Sequence, residues 1–130
     1  VDELPKVAEE KNNKKQNERQ EQPAFEKGKS NEILRSLATQ FNDPCLKSSS
    51  RVLILFSLAL NRRLGFVDLL NLTGLGKGSL SNHLEKLESS GYVITKTAMS
   101  FSGPRVVVEI TQKGLEAYSA LMRSLKELAK

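Results

Sequence analysis

Cysteine and histidine occur once each in this 130-residue chain, as Cys45 and His83. A single cysteine excludes an intramolecular disulfide framework and fits a reducing compartment, so a cytoplasmic location is expected. One Cys and one His cannot build a four-ligand metal site unless subunits share ligands or carboxylates dominate. With no paired carboxylates at usable spacing either, neither a nucleophilic triad nor a metal-activated water can be assembled. The chain is therefore expected to be no enzyme and to carry no cofactor. Long hydrophobic runs are missing as well. The longest, Val52 to Leu60, spans nine residues including Ser57, against the roughly 20 of a transmembrane helix. It reads as a buried helix, and no membrane partner is expected. No secretory signal pattern opens the chain; Val1 could follow removal of an initiator methionine or mark a trimmed terminus.

The net charge is +5 and the isoelectric point near 9.4, which favours an anionic partner. Residues 1–30 carry seven Lys plus Arg against seven Asp plus Glu, so the whole surplus lies in residues 31–130, thirteen basic against eight acidic. Up to about Ser30 the chain is dominated by Lys, Glu, Asn and Gln and is too poor in apolar residues to offset its ordering entropy. A charged, disordered N-terminal tail is expected over 1–30, and one domain over 31–130.

Ile33, Leu34, Leu37, Ala38 and Phe41 recur at helical spacing and predict an amphipathic accessory helix over 31–42, interrupted by Asp43-Pro44. Ser48 to Ser50 offer caps for the next helix, apolar almost all round from Arg51 to Leu60 and hence central to the core. Asn61-Arg62-Arg63 reads as a polar turn, Leu64-Gly65-Phe66 as one strand-like step, and Val67 to Leu72 as a short helix.

The segment Leu69 to Val93 is the most informative. It spells two helices around a glycine-broken turn, then a glycine-stopped exit into a strand, which is a helix-turn-helix. At ~100° per residue, Leu80, Leu84 and Leu87 of the second helix fall on one side. Gly78, Ser79, Asn82, His83 and Lys86 lie opposite or on its flanks, with no carboxylate through the first two turns. Such a face suits the floor of a major groove, where short donors and amides reach base edges and phosphates. Glu85 and Glu88 come where the helix should be leaving the duplex.

Tyr92 to Thr97 and Arg105 to Thr111 are rich in β-branched residues and flank the loop Ala98 to Pro104, predicting an antiparallel hairpin. A hairpin directly after such a helix is a wing. The final helix, Thr111 to Lys130, sets out a wide apolar stripe whose three-four alternation suits a seam against another helix. A second subunit is the natural supplier, through Leu115, Tyr118, Leu121, Met122, Leu125 and Leu128, with Ile33 and Leu37 of the accessory helix as further interface candidates.

This order of elements resembles the winged helix-turn-helix of MarR-like and ArsR-like transcriptional regulators, in the compact form found in small prokaryotic, often archaeal, proteins. The resemblance covers about residues 46–120. It rests on Gly76-Lys77-Gly78-Ser79-Leu80-Ser81-Asn82-His83-Leu84, on Leu87-Glu88-Ser89-Ser90-Gly91-Tyr92-Val93, and on Glu109-Ile110-Thr111-Gln112-Lys113-Gly114, the last similar to the T-x-x-G element that opens the helix after the wing. It implies a mainly α fold with a small β-hairpin wing (α+β): a winged-helix core over 46–111 and a C-terminal dimerisation helix over 112–130. It further implies a homodimer on double-stranded DNA, its half-site centres ~34 Å apart. Carried over by position, Lys77, Ser79, Ser81, Asn82 and His83 would meet the major groove, Lys86 a phosphate, and Lys96, Ser100, Ser102 and Arg105 the flanking backbone or minor groove. Asn82 is the candidate for a bidentate adenine contact. The chain departs from metal-sensing members, whose Cys and His clusters it lacks, so any small-molecule effector stays unassigned.

Several of these residues have a plainer reading. His83, at the edge of the apolar face, could equally hydrogen-bond within the domain. Cys45 fits a buried thiol, Gly74, Gly76 and Gly78 fit a turn without phosphate-loop spacing, and Arg62-Arg63 fit a solvated pair. The last helix could line an effector pocket, although a dimer core is the simpler use of its stripe. The competing function is a winged helix for protein–protein interaction in a transcription or chromatin-type assembly. Exposed apolar or acidic residues on the recognition face would mark that module, and this face reads as polar and basic.

Overall fold

The computed structural model describes residues 24–130. The expectation of a disordered tail falls mainly on residues outside that range. Five helices and three strands follow one another: α1 (Ala24–Gln40), a 3-10 turn (Pro44–Lys47), α2 (Ser49–Asn61), β1 (Arg63–Gly65), α3 (Phe66–Thr73), α4 (Lys77–Ser89), β2 (Val93–Ser100), β3 (Gly103–Ile110) and α5 (Gln112–Ala129). The antiparallel sheet has the order β1-β3-β2. The chain divides into units of residues 1–35 and 36–130, the second holding everything from the last turn of α1 onward.

Two boundaries differ from the sequence reading. α1 covers Ala24–Gln40 of the described residues, so helix is present upstream of the expected start at 31. The predicted loop Ala98 to Pro104 shrinks to Phe101-Ser102, because cross-strand pairing continues through Ala98↔Arg105 and Met99↔Pro104 to Ser100↔Gly103. Gly103, at φ 104°, supplies the positive φ that closes so short a turn, and Ser100 Oγ donates to its carbonyl at 2.8 Å.

α2 is the central helix, as its apolar character requires. Ser48 caps it, Oγ accepting from Arg51 N at 3.3 Å, and its Ile54, Leu55 and Leu58 are buried. Around them pack Cys45 and Leu46, Leu69 of α3, Leu80, Leu84 and Leu87 of α4, and Tyr92, Val93 and Val108 of the sheet. β1 pairs Leu64 with Val108 and Gly65 with Val107, fastening the wing's base to the entrance of α3.

Candidate nucleic-acid interface

α4 is placed by its two ends and its buried side. α3 stops at Gly74, whose φ of 70° is left-handed and whose N–H donates to the Leu70 carbonyl at 2.9 Å. Gly76 then opens α4 without a side-chain cap. The helix ends in a Schellman motif: Gly91 N donates to Glu88 O and Tyr92 N to Leu87 O, both at 2.9 Å, with Gly91 at φ 84°. Leu80, Leu84 and Leu87 are buried beneath it. Lys77, Gly78, Ser79, Ser81, Asn82 and Lys86 are all exposed, forming one polar and cationic surface.

His83 is half-buried. Its Nδ1 lies 3.2 Å from Arg51 Nη1, which, with the guanidinium as donor, makes Nδ1 an acceptor. The imidazole's pKa is held below its ordinary 6.5, chiefly by burial and then by the charges of Arg51 and Lys86. Arg51 was not singled out from the sequence. Its Nε donates to the Cys45 carbonyl at 2.6 Å and its Nη2 to that of Pro44 at 3.4 Å. A guanidinium is thereby fixed in a cleft of about 720 Å³ that Asp43, Asn82, Glu85, Lys86, Ser89 and Ser90 also line. A serine-capped start two residues upstream was the only sequence signal for it.

The floor of that cleft is a polar hub that periodicity also missed. Asp43 Oδ1 accepts from Cys45 N at 3.0 Å, and Oδ2 from Tyr92 Oη at 2.5 Å. These bonds hold the carboxyl below its ordinary 3.8, while burial, and after it the Asp43 contact, pushes the Tyr92 phenol well above its ordinary value. Lys113 Nζ sits 4.8 Å from the Tyr92 ring centroid and donates to the Ser90 carbonyl at 2.6 Å, at the C-terminal end of α4. Thr111 caps α5 by accepting from Gly114 N at 3.1 Å and donates to the Gly91 carbonyl at 2.6 Å. A Cβ at Gly114 would overlap the Tyr92 carbonyl oxygen and stand 2.6 Å from Ile110 Cγ1. The T-x-x-G spacing is thus a cap followed by a close approach.

The wing hangs from the same junction, with Glu88 Oε1 accepting from Thr95 N at 2.9 Å. Its polar candidates each have a partner within the wing. Lys96 Nζ pairs with Glu109 Oε2 at 3.0 Å, and Arg63 approaches the same carboxylate at 3.8 Å. Arg105 Nη2 donates to Ser102 Oγ at 3.3 Å, while Ser100 closes the turn. What projects instead is apolar: Met99 is 79% exposed and Phe101 wholly so.

The seam on α5 needs one correction. Leu121 is 1% exposed within the single chain, because α5 packs on α2 of its own protomer, so it has no surface to offer a partner. Tyr118 meets the Phe56 ring edge-on at 5.3 Å. Leu115 and Met122 are half-buried, as are Ile33 and Leu37 of α1. Leu125 and Leu128 remain exposed, together with Leu53 and Leu60 of α2.

Residues 50–129 match the family model of the winged helix DNA-binding domain. The chain belongs to that family. An uncharacterized protein of Methanocaldococcus jannaschii is 36% identical over 61 residues, a match spanning 47% of this chain and 63% of the relative, less than two thirds of that protein's length. A transcriptional regulator homologue from Pyrococcus horikoshii shares the fold with a TM-score of 0.64 and 29% identity, over 73% of this chain and 94% of that one. A MarR-family regulator from Enterococcus faecalis superposes with a TM-score of 0.60 at 18% identity, over 72% and 82% of the two chains. The present chain therefore carries a winged-helix DNA-binding domain. No helix among the described residues is long and apolar enough to cross a membrane.

Proposed function

We propose that the protein is a sequence-specific regulator that binds double-stranded DNA as a homodimer, with α4 in the major groove and the wing on flanking backbone or minor groove. One observation carries the reading: α4 turns Lys77, Gly78, Ser79, Ser81, Asn82 and Lys86 outward over three buried leucines, with Glu85 the one exposed carboxylate among them. The domain's surplus of five positive charges supports it. On this model Asn82 reads a base edge and Lys86 meets a phosphate, as bidentate amide and point charge respectively. The exposed Leu53, Leu60, Leu125 and Leu128, on two helices packed together, supply the second subunit's seat.

Selection of bound duplexes from a random pool, followed by salt titration, tests both parts. The expected product is a palindrome whose affinity falls steeply with salt, since neutralised phosphates release counterions. Negligible affinity for every duplex at low salt refutes the DNA-reading role. Replacing Leu125 and Leu128 together by Glu should convert a sedimenting dimer to monomer with its helical content intact; a dimer that persists places the interface elsewhere.

A further inference from the structure

We infer that the wing tip is an apolar wedge: Phe101, with Met99 behind it, inserts between neighbouring base pairs from the minor groove and bends the duplex. This rests on the proposed DNA-reading role. Met99, Phe101 and Pro104 crowd the last turn of the hairpin, Met99 directly opposite Pro104 in the register, and the two larger side chains touch nothing that would hold them from water. The segment is short and closed by the Ser100–Gly103 bond and the Arg105–Ser102 bond, so the ring is presented on a stiff support.

The occupant follows from what surrounds the tip. The wing is continuous with the DNA-binding helix through the Glu88 to Thr95 bond, and Ser81, Glu85 and Glu88 of α4 wall the same groove as Thr95 and Val106 of the wing. With α4 in the major groove and the wing on flanking backbone or minor groove, as proposed above, the same duplex reaches the hairpin beyond Glu85 and Glu88. The wing offers little electrostatic hold, because residues 93–110 contain only Lys96, Arg105 and Glu109 as charges, and Lys96 pairs with Glu109. Arg105, anchored beside the turn through Ser102, remains to meet a phosphate or the minor-groove floor. Unlike a cationic wing, an aromatic one gains by leaving water, which offsets the cost of unstacking a base step, and Phe and Met are wedges of this kind. Pyrimidine–purine steps open at least cost, so the wing position adds a preference at base pairs that no side chain hydrogen-bonds.

The test uses the full chain and duplexes recovered from the random pool, with 2-aminopurine placed at each flanking pyrimidine–purine step and a donor–acceptor dye pair at the ends. The wild type should raise the aminopurine emission at one step and shorten the end-to-end distance. Phe101→Ala should abolish both signals and weaken binding about tenfold, Phe101→Leu should restore part of each, and all three proteins should melt alike, since the ring packs on nothing. Unchanged affinity and emission in Phe101→Ala overturns the wedge while leaving the DNA-reading role standing. A wild type that binds no duplex at low salt brings down both. Altered sedimentation of the free Phe101→Ala protein with unaltered DNA binding overturns the wedge in favour of a contact between copies.

Discussion

α4 and the wing are joined through the Glu88–Thr95 bond yet are built on opposite rules. On α4 the apolar residues go inward and the polar ones outward, so Leu80, Leu84 and Leu87 rigidly hold a surface of donors. At the wing tip the polar groups are consumed by Ser100–Gly103, Ser102–Arg105 and Lys96–Glu109, while Met99 and Phe101 project into solvent. The contrast teaches a division of labour: the helix can discriminate bases by hydrogen bonding, whereas the wing, apolar at its tip with Arg105 beside it, responds mainly to shape and deformability.

The largest expected effect breaks both halves at once. They join where α5 starts, with Thr111 bonded to Gly91 and the Gly114 backbone pressed on Tyr92. Gly114→Ala forces a methyl into a backbone carbonyl that no rotamer change relieves. Destabilisation of about 3 kcal/mol is expected, which for a domain of this size lowers the melting temperature by roughly 4–8 °C per kcal/mol. Melting followed by circular dichroism checks it, and an unaltered midpoint would show that the junction yields.

A smaller effect separates the halves. Asn82→Ala should cost about 1–3 kcal/mol on the selected duplex and relax its base preference, whereas Lys86→Ala should weaken every sequence alike and reduce the salt slope by about one. Equal losses on selected and random DNA for Asn82→Ala would remove the base-reading role from α4.

Much of this architecture was legible because apolar spacing and glycine placement act locally. The Leu80, Leu84, Leu87 side of α4, the stops at Gly74 and Gly91, and the T-x-x-G start of α5 are all consequences of a few neighbouring residues. The parts that were not legible depend on residues distant in sequence. Tyr92 and Asp43 are 49 positions apart, and Arg51 reaches His83 across 32; nothing in either local pattern indicates the partner. Leu121 looked like the rest of its stripe, since a helical wheel cannot tell which neighbour, α2 or a second subunit, covers a given leucine. The loop expected over Ala98 to Pro104 followed from where the β-branched residues end, whereas the cross-strand ladder continues past them to Ser100↔Gly103.

The smallest effect decides between the two readings of His83. In the free protein its pKa is depressed by burial and by Arg51 and Lys86. As pH falls through the ordinary 6.5 toward that lower folded value, the unfolded chain therefore takes up a proton that the folded chain does not. Stability should decline over that window, then decline again at lower pH as Asp43, whose ionised form is favoured by Tyr92 and Cys45, is protonated through its own depressed value below 3.8. His83→Gln should remove the first decline and leave the second. DNA affinity has its own signature. If the imidazole meets phosphate or a base acceptor in the complex, the duplex favours its protonated form, and binding by the wild type should tighten relative to His83→Gln as pH drops from about 7 to about 5. If it stays bonded to Arg51 throughout, the two proteins should follow parallel binding curves. His83 then belongs to the frame that holds α4 and not to the surface that reads.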